Sequence, residues 1–231
     1  MPRQISGLNT LRIVAMIAPT IIGAGAASGS CTSGDVTWSD SGSGSVTSFT
    51  CTETSPLSNT FNVVLVVAST GAYNVTIETF DSAIINNVLV ENTGASGTRV
   101  EVDVIAGGLN GLAQVISFTK DLGSTGEVWI GTIEPSGNIG KALTPFNTQI
   151  TADRINVLET DADLTAEVIA YGSGISGQTI AINLIDVEGD LLNSVTAVED
   201  EINVIDVEGK IGDSGSLVSI NSKRDIFRIE A

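Results

Sequence analysis

The side chains able to do chemistry in this chain are almost all carboxylates. Its 231 residues include 27 Asp and Glu, only 10 Lys and Arg, and no His. Without imidazole there is no Ser-His-Asp triad, no Cys-His pair and no histidine-ligated zinc or iron. Neither a Walker A sequence nor a dinucleotide-type glycine fingerprint is present; "GAGAASG" near residue 23 follows no strand. What carboxylates can still do is hold Ca²⁺, with oxygen ligands at about 2.3–2.6 Å, or work as an acid and base pair on a glycosidic bond.

The best-marked carboxylates belong to a repeated phrase. "INLIDVEG" at 182–189 returns as "INVIDVEG" at 202–209, with Leu184 exchanged for Val204. If such phrases stack, Glu159, Asp186 and Asp206 form one outward column beside Glu188 and Glu208, and Asp161, Asp163 and Asp190 add acids nearby. This is the candidate calcium site, the only cofactor the sequence suggests. Like charges about 4.8 Å apart repel by only roughly 0.9 kcal/mol in water, so the column can equally stand as solvated surface. Asn156, Asn183 and Asn203 make a second outward column, whose amides can hydrogen-bond along the stack and fix its register. Trp129, also outward, is the candidate platform for a sugar ring. No pair of carboxylates is marked by an aromatic subsite, so no catalytic residue is assigned. Arg154 and Lys141 read as salt-bridge partners of nearby acids.

Positioning these columns requires a strand that recurs. Six-residue apolar-polar segments begin at Val75, Val100, Val128, Ile155, Ile182 and Ile202, with a last at Phe227, at intervals of 25, 28, 27, 27, 20 and 25 residues. Turn signals such as "GASG", "PSGN" and "GDSGS" lie between them. A strand returning in one direction at nearly constant intervals points to an all-β parallel β-helix, a solenoid of about 20–28 residues per coil. Aromatics are only 4% of the chain while Val, Ile, Ser, Thr and Gly abound, which favours strands joined by turns.

Alternation then assigns the core. One inward column is expected through Val75, Val100, Val128, Ile155, Ile182, Ile202 and Phe227. A second is expected through Ile77, Val102, Ile130, Val157, Leu184, Val204 and Ile229, so that an Asp at Val157 or Leu184 should unfold the stack locally. The adjacent apolar pairs Val157–Leu158, Leu184–Ile185 and Val204–Ile205 break strict alternation and mark a bulge or corner. An antiparallel β-sandwich is the competing architecture, through segments such as "FNVVLVV" and "TRVEVDV".

Residues 1–26 read as a secretory signal peptide: Arg3 and Arg12 precede an apolar stretch too short for a membrane span, and Ala24 and Ala26 suit cleavage. Export makes a disulfide between Cys31 and Cys51 the expected state of the two cysteines. That bond would staple residues 27–67 into an N-terminal β cap, with the solenoid over 68–231 continuing beyond Ala231 in a longer protein. Removing residues 1–26 leaves eight basic side chains against 27 acidic ones. Such a surface repels a polyanionic duplex, so nucleic acid is not an expected partner.

The rungs over 75–231, "INLIDVEGDL" and "INVIDVEGKI" most clearly, resemble secreted bacterial parallel β-helix proteins of the pectin-lyase-like type. That resemblance, one of repeat style, covers polysaccharide lyases and hydrolases, adhesins and large surface proteins. With no catalytic residue assigned, the expectation is a secreted or cell-surface solenoid acting as a structural or adhesive module and not as an enzyme, with glycans or other surface proteins as partners and no stable membrane span after signal cleavage. The alternative is the N-terminal part of a carbohydrate-active enzyme whose catalytic residues lie past Ala231.

Overall fold

The structure is a computed structural model; it describes residues 36–39, 47–51, 60–67, 71–79, 84–95, 97–107, 113–141, 148–172, 179–213 and 217–231. Every regular element among them is a strand. The first nine are β1 (Val36–Ser39), β2 (Thr47–Cys51), β3 (Thr60–Val67), β4 (Ala72–Thr79), β5 (Ile84–Asn92), β6 (Arg99–Ala106), β7 (Gln114–Val115), β8 (Phe118–Lys120) and β9 (Glu127–Pro135). The remainder are β10 (Gln149–Ala152), β11 (Arg154–Thr160), β12 (Glu167–Ala170), β13 (Ile180–Val187), β14 (Val195–Ala197), β15 (Glu201–Val207), β16 (Ile220–Ser222) and β17 (Ile226–Glu230).

The chain deals these strands alternately onto two sheets. Sheet A has the order β2-β4-β6-β9-β11-β13-β15-β17, and sheet B the order β1-β3-β5-β8-β10-β12-β14-β16, with β7 also pairing β5. Every described strand pairing is parallel. An antiparallel sandwich is thereby excluded, and the solenoid expected from the repeat is the fold. A third side consists of single residues stacked in parallel bridges, Val115–Ile139–Leu164–Leu191–Ile211. Ile139, Leu164, Leu191 and Ile211 each come four residues after the last residue of a rung, at Pro135, Thr160, Val187 and Val207. The repeated "VEGDL" and "VEGKI" are thus a turn plus one core residue.

The paired registers define two columns that run the length of sheet A. The first is Val75–Val102–Ile130–Ile155–Ile182–Ile202–Ile226. The second is Ile77–Val104–Ile133–Leu158–Ile185–Ile205–Ile229. Sheet B contributes Val63–Val88–Phe118–Ile150–Val168–Val195–Ile220. Nearly all of these side chains are fully buried in one contiguous core, and each contributes about 1.5–3 kcal/mol on burial. Coil length varies at both turns: from sheet A to sheet B, four residues follow β4 and thirteen follow β9, and from sheet B to sheet A the range is one to nine. One residue, Asp153, separates β10 from β11, whereas 171–179 separate β12 from β13.

These columns correct the expected ones. Val100 and Val128 do pair, but their partner in β4 is Tyr73 and not Val75, one inward step away. Val157, Leu184 and Val204 are half-buried on the outer face, and Leu158, Ile185 and Ile205 point inward instead. The cause is a bulge that enters at Gly131, where the pairing of β6 with β9 slips between Val102 and Asp103. From β9 onward every rung carries two consecutive outward residues before returning to the core, so strict alternation assigns the wrong neighbour. At the end of the stack Ile226 and not Phe227 follows Ile202, and Phe227 is turned out, 61% exposed.

Solenoid pairing begins inside the segment expected to form a cap: β1 pairs with β3 on sheet B, and β2 with β4 on sheet A. Residues 1–26, expected as a signal peptide, and Cys31 of the expected disulfide lie outside the described residues.

Candidate functional site: the outer face of sheet A

Because each rung repeats, the outer face of sheet A is ruled into columns along the stack. The bulge sets the first. Asn156, Asn183 and Asn203 occupy the extra position, and in β9 the same position is Gly131. Asn183 Nδ2 donates to Asn156 Oδ1 at 3.1 Å, and Asn203 Nδ2 donates to Asn183 Oδ1 at 3.0 Å. The amide chain stops at Gly131 because a Cβ there would lie 2.2 Å from Asp103 Oδ1. Asp103 instead accepts the N–H of Thr132, which partly offsets the upward push that burial gives its carboxyl. Replacing Asn183 with Ala removes both ladder bonds at a partly exposed site. The expected loss is about 1 kcal/mol in chemical denaturation; an unchanged midpoint would mean that water replaces the amides at no cost.

Next to the amides lies the half-buried apolar stripe Val157–Leu184–Val204, and beyond it the carboxylates. Glu159 pairs in register with Asp186, Asp186 with Asp206, and Asp206 with Glu230. Glu134, one residue past the Leu158 partner Ile133, extends the column on the other side. Burial pushes the Glu159 carboxyl above its ordinary range, and Glu134, Asp186, Asp161 and Glu188 push it further. The folded state therefore holds this proton more tightly than the unfolded chain. Stability from this group is full below the ordinary value of 4.5 and is lost as pH rises through the raised value. Glu159→Gln should accordingly raise the thermal midpoint at pH 7 and give little gain at pH 4, in paired melting curves.

Glu188 and Glu208 are exposed on the turn beyond the column. Among the described residues no three carboxylates converge into a group that could hold a metal ion. Of the calcium positions expected from the sequence, Glu159, Asp186 and Asp206 thus form a line, each one coil from the next, with Glu188 and Glu208 on the turns beside it.

Asp163 and Asp190 have a different employment. Asn138 Oδ1 accepts the backbone N–H of Asp163 at 3.1 Å, Asp163 Oδ1 that of Asp190 at 2.9 Å, and Asp190 Oδ1 that of Lys210 at 2.8 Å. Each corner oxygen thereby ties its coil to the next. The close stacking this produces explains the glycines of the repeated phrase: a Cβ on Gly209 would fall 2.3 Å from the Gly189 carbonyl oxygen. The signal was present in the sequence as Asn138, Asp163 and Asp190, each just before a third-side core residue.

Trp129 does not present an open ring. The guanidinium of Arg99, one coil below, lies 4.6 Å from the ring centroid, and that of Arg154, one coil above, 5.2 Å. The indole Nε1 donates to Glu127 Oε2 at 2.9 Å. Burial pulls the Arg154 guanidinium down, against the opposing pull of Asp200 and Glu127, and its Nη1 donates to the Ile180 carbonyl. A sugar ring would have to displace cation–π contacts to use this platform. Arg154 is joined to its neighbours in this way; Lys141 makes no ion pair among the described residues.

One ionic pair was not foreseen. Lys120 stands in register with Val90, a fully buried residue of sheet B, so its strand position points into the stack. Its ammonium meets Asp153, which also accepts the Val128 N–H at 2.7 Å. No helix among the described residues is long and apolar enough to cross a membrane. No family model matches the chain, and comparison with curated proteins and with solved structures returns no match.

Proposed function

We propose that the chain is an exported β-solenoid of the secreted parallel β-helix kind, serving as a structural or adhesive module at the cell surface. The observation that carries this reading is the continuity of the stack. One core and two parallel sheets run through the described coils from β3 onward, and over β11, β13 and β15 the outer face of sheet A offers an amide column, an apolar stripe and a carboxylate column at a spacing of about 4.8 Å. A rigid face of that kind suits contact with an extended partner, a glycan or another surface protein, better than it suits enclosure of a small substrate. Export is supported by the basic, apolar and small-residue order of residues 1–26.

The test is protease shaving of intact cells that express the full chain with a C-terminal tag, combined with a glycan array on the purified protein. Loss of the tag from intact cells, with saturable binding to a glycan or to cell-surface extract, is the expected result. Retention of the tag in the cytosol overturns the export reading. Release of reducing sugar from acidic polysaccharides would replace the module with the carbohydrate-active alternative.

A further inference from the structure

The geometry points to a covalent modification site: we propose that Lys120 and Asp153 condense to an intramolecular amide that staples one coil to the next. This inference is independent of the functional reading above. Lys120 ends β8, and Asp153 is the single corner residue between β10 and β11, on the following coil. Lys120 Nζ lies 2.5 Å from Asp153 Oδ1 and 2.7 Å from Oδ2, so the nitrogen is centred on the carboxyl group. The pair is withdrawn from water, with side-chain exposures of 14% and 8%. It is also held from several directions. Val128 N–H donates to Asp153 Oδ2, the Lys120 N–H donates to Thr151 Oγ1 at 3.0 Å, and the Lys120 position faces the fully buried Val90.

Three consequences favour condensation at this spot over a solvent-exposed lysine and aspartate. Two reacting groups fixed in contact have already lost the translational and rotational freedom that a bimolecular reaction must surrender, an advantage worth several powers of ten in rate. Removal of both charges from water carries a desolvation cost, which a neutral amide does not incur. The Val128 N–H is aimed at the oxygen on which negative charge develops when the amine adds to the carboxyl carbon.

The step balances without an oxidant or co-reactant. A proton passes from Nζ to Oδ1 within the contact, and the resulting amine adds through its lone pair to Cγ, placing charge on Oδ2 against the Val128 N–H. A second proton moves from nitrogen to Oδ1, the Cγ–Oδ1 bond breaks, and water leaves. The product is a secondary amide between Nζ and Cγ, whose carbonyl oxygen keeps the Val128 hydrogen bond.

The test is peptide mapping by mass spectrometry of the purified full chain, denatured and digested. The expected result is a branched species in which the peptides carrying Lys120 and Asp153 are joined and together lack the mass of one water. That species should be absent from Lys120→Arg, which keeps the positive charge but offers no primary amine. Recovery of both peptides unlinked in the wild-type digest overturns the proposal, and so does a water loss that persists in Lys120→Arg. Because the wild-type digest alone decides the matter, a poorly folding variant does not weaken the test.

Discussion

Replacing Ile185 with Asp should disrupt the stack, whereas the same change one residue earlier, at Leu184, should be tolerated. Ile185 is fully buried and stacked between Leu158 and Ile205. A carboxylate there has no partner and no water, and the neighbouring coils cannot separate to admit either without losing their own packing. A loss of at least about 4 kcal/mol is expected, the size reserved for buried unpaired charges. Leu184 lies on the outer stripe, half-buried, where an added carboxylate keeps contact with solvent, and a cost of about 1 kcal/mol is expected. Urea denaturation of the two variants separates the registers: if Leu184→Asp unfolds and Ile185→Asp does not, the bulge after Gly131 is misplaced and strict alternation holds.

Asn92→Ala should be the most damaging polar substitution. Asn92 is fully buried at the turn out of β5. Its Nδ2 donates to the Glu127 carbonyl at 2.8 Å and to the Thr98 carbonyl at 3.3 Å, and its Oδ1 accepts the Gly94 N–H at 3.2 Å. The amide thereby joins its own turn to the coil that begins at β9. Ala leaves the Gly94 N–H without its acceptor and takes a donor from the Glu127 and Thr98 carbonyls, the second of which keeps the Glu127 N–H at 2.8 Å, and it opens a cavity beside them. A cost of about 3 kcal/mol follows from buried groups left unsatisfied. Gly126 belongs to the same arrangement, since a Cβ on it would lie 2.4 Å from Asn92 Nδ2. A denaturation midpoint for Asn92→Ala within error of the wild type would show that solvent reaches this turn.

The solenoid was legible because its rungs differ so little. "INLIDVEG" and "INVIDVEG" pair residue for residue from Ile182 with Ile202 to Val187 with Val207. The Asn column could be read for the same reason: an amide returns at one point of three successive rungs, and chemistry that repeats in sequence repeats in space. Register was legible only where rungs are alike. Val100, Val102 and Val104 are all apolar and all inward, so alternation gives their face and leaves their partner open. The Val157–Leu158 pair posed the same problem in sharper form. Either residue could face the core, and the choice depends on an insertion two rungs' worth of pairing makes visible, at Gly131.

What escaped the sequence reading were residues whose usual place is the surface. Asp163 and Asp190 looked like further acids of a solvated face, yet each accepts a backbone N–H from the next coil. Lys120 follows Phe118 and Thr119 in an alternating strand, which places it inward, but a lysine facing a core is credible only once Asp153 is found beside it. The strand Gln149–Ala152 carries no sequence signal, because "QITA" is too short to show a period. The expected sugar platform failed to foresee Arg99 and Arg154, since 30 and 25 residues separate them from Trp129 in the chain and one coil in space.

The most direct measurement of the stack is a set of electron-spin distances along the carboxylate column, with nitroxides attached through Glu134→Cys, Glu159→Cys and Asp206→Cys in pairs. Parallel coils in register place the Glu159 and Asp206 backbones two spacings apart, about 10 Å, and the Glu134 and Asp206 backbones three apart, about 14 Å. Label separations that lengthen by one coil spacing from the first pair to the second are the expected result. Separations that fail to grow in that order, or that exceed about 25 Å for either pair, would contradict a solenoid whose turns lie one upon the next.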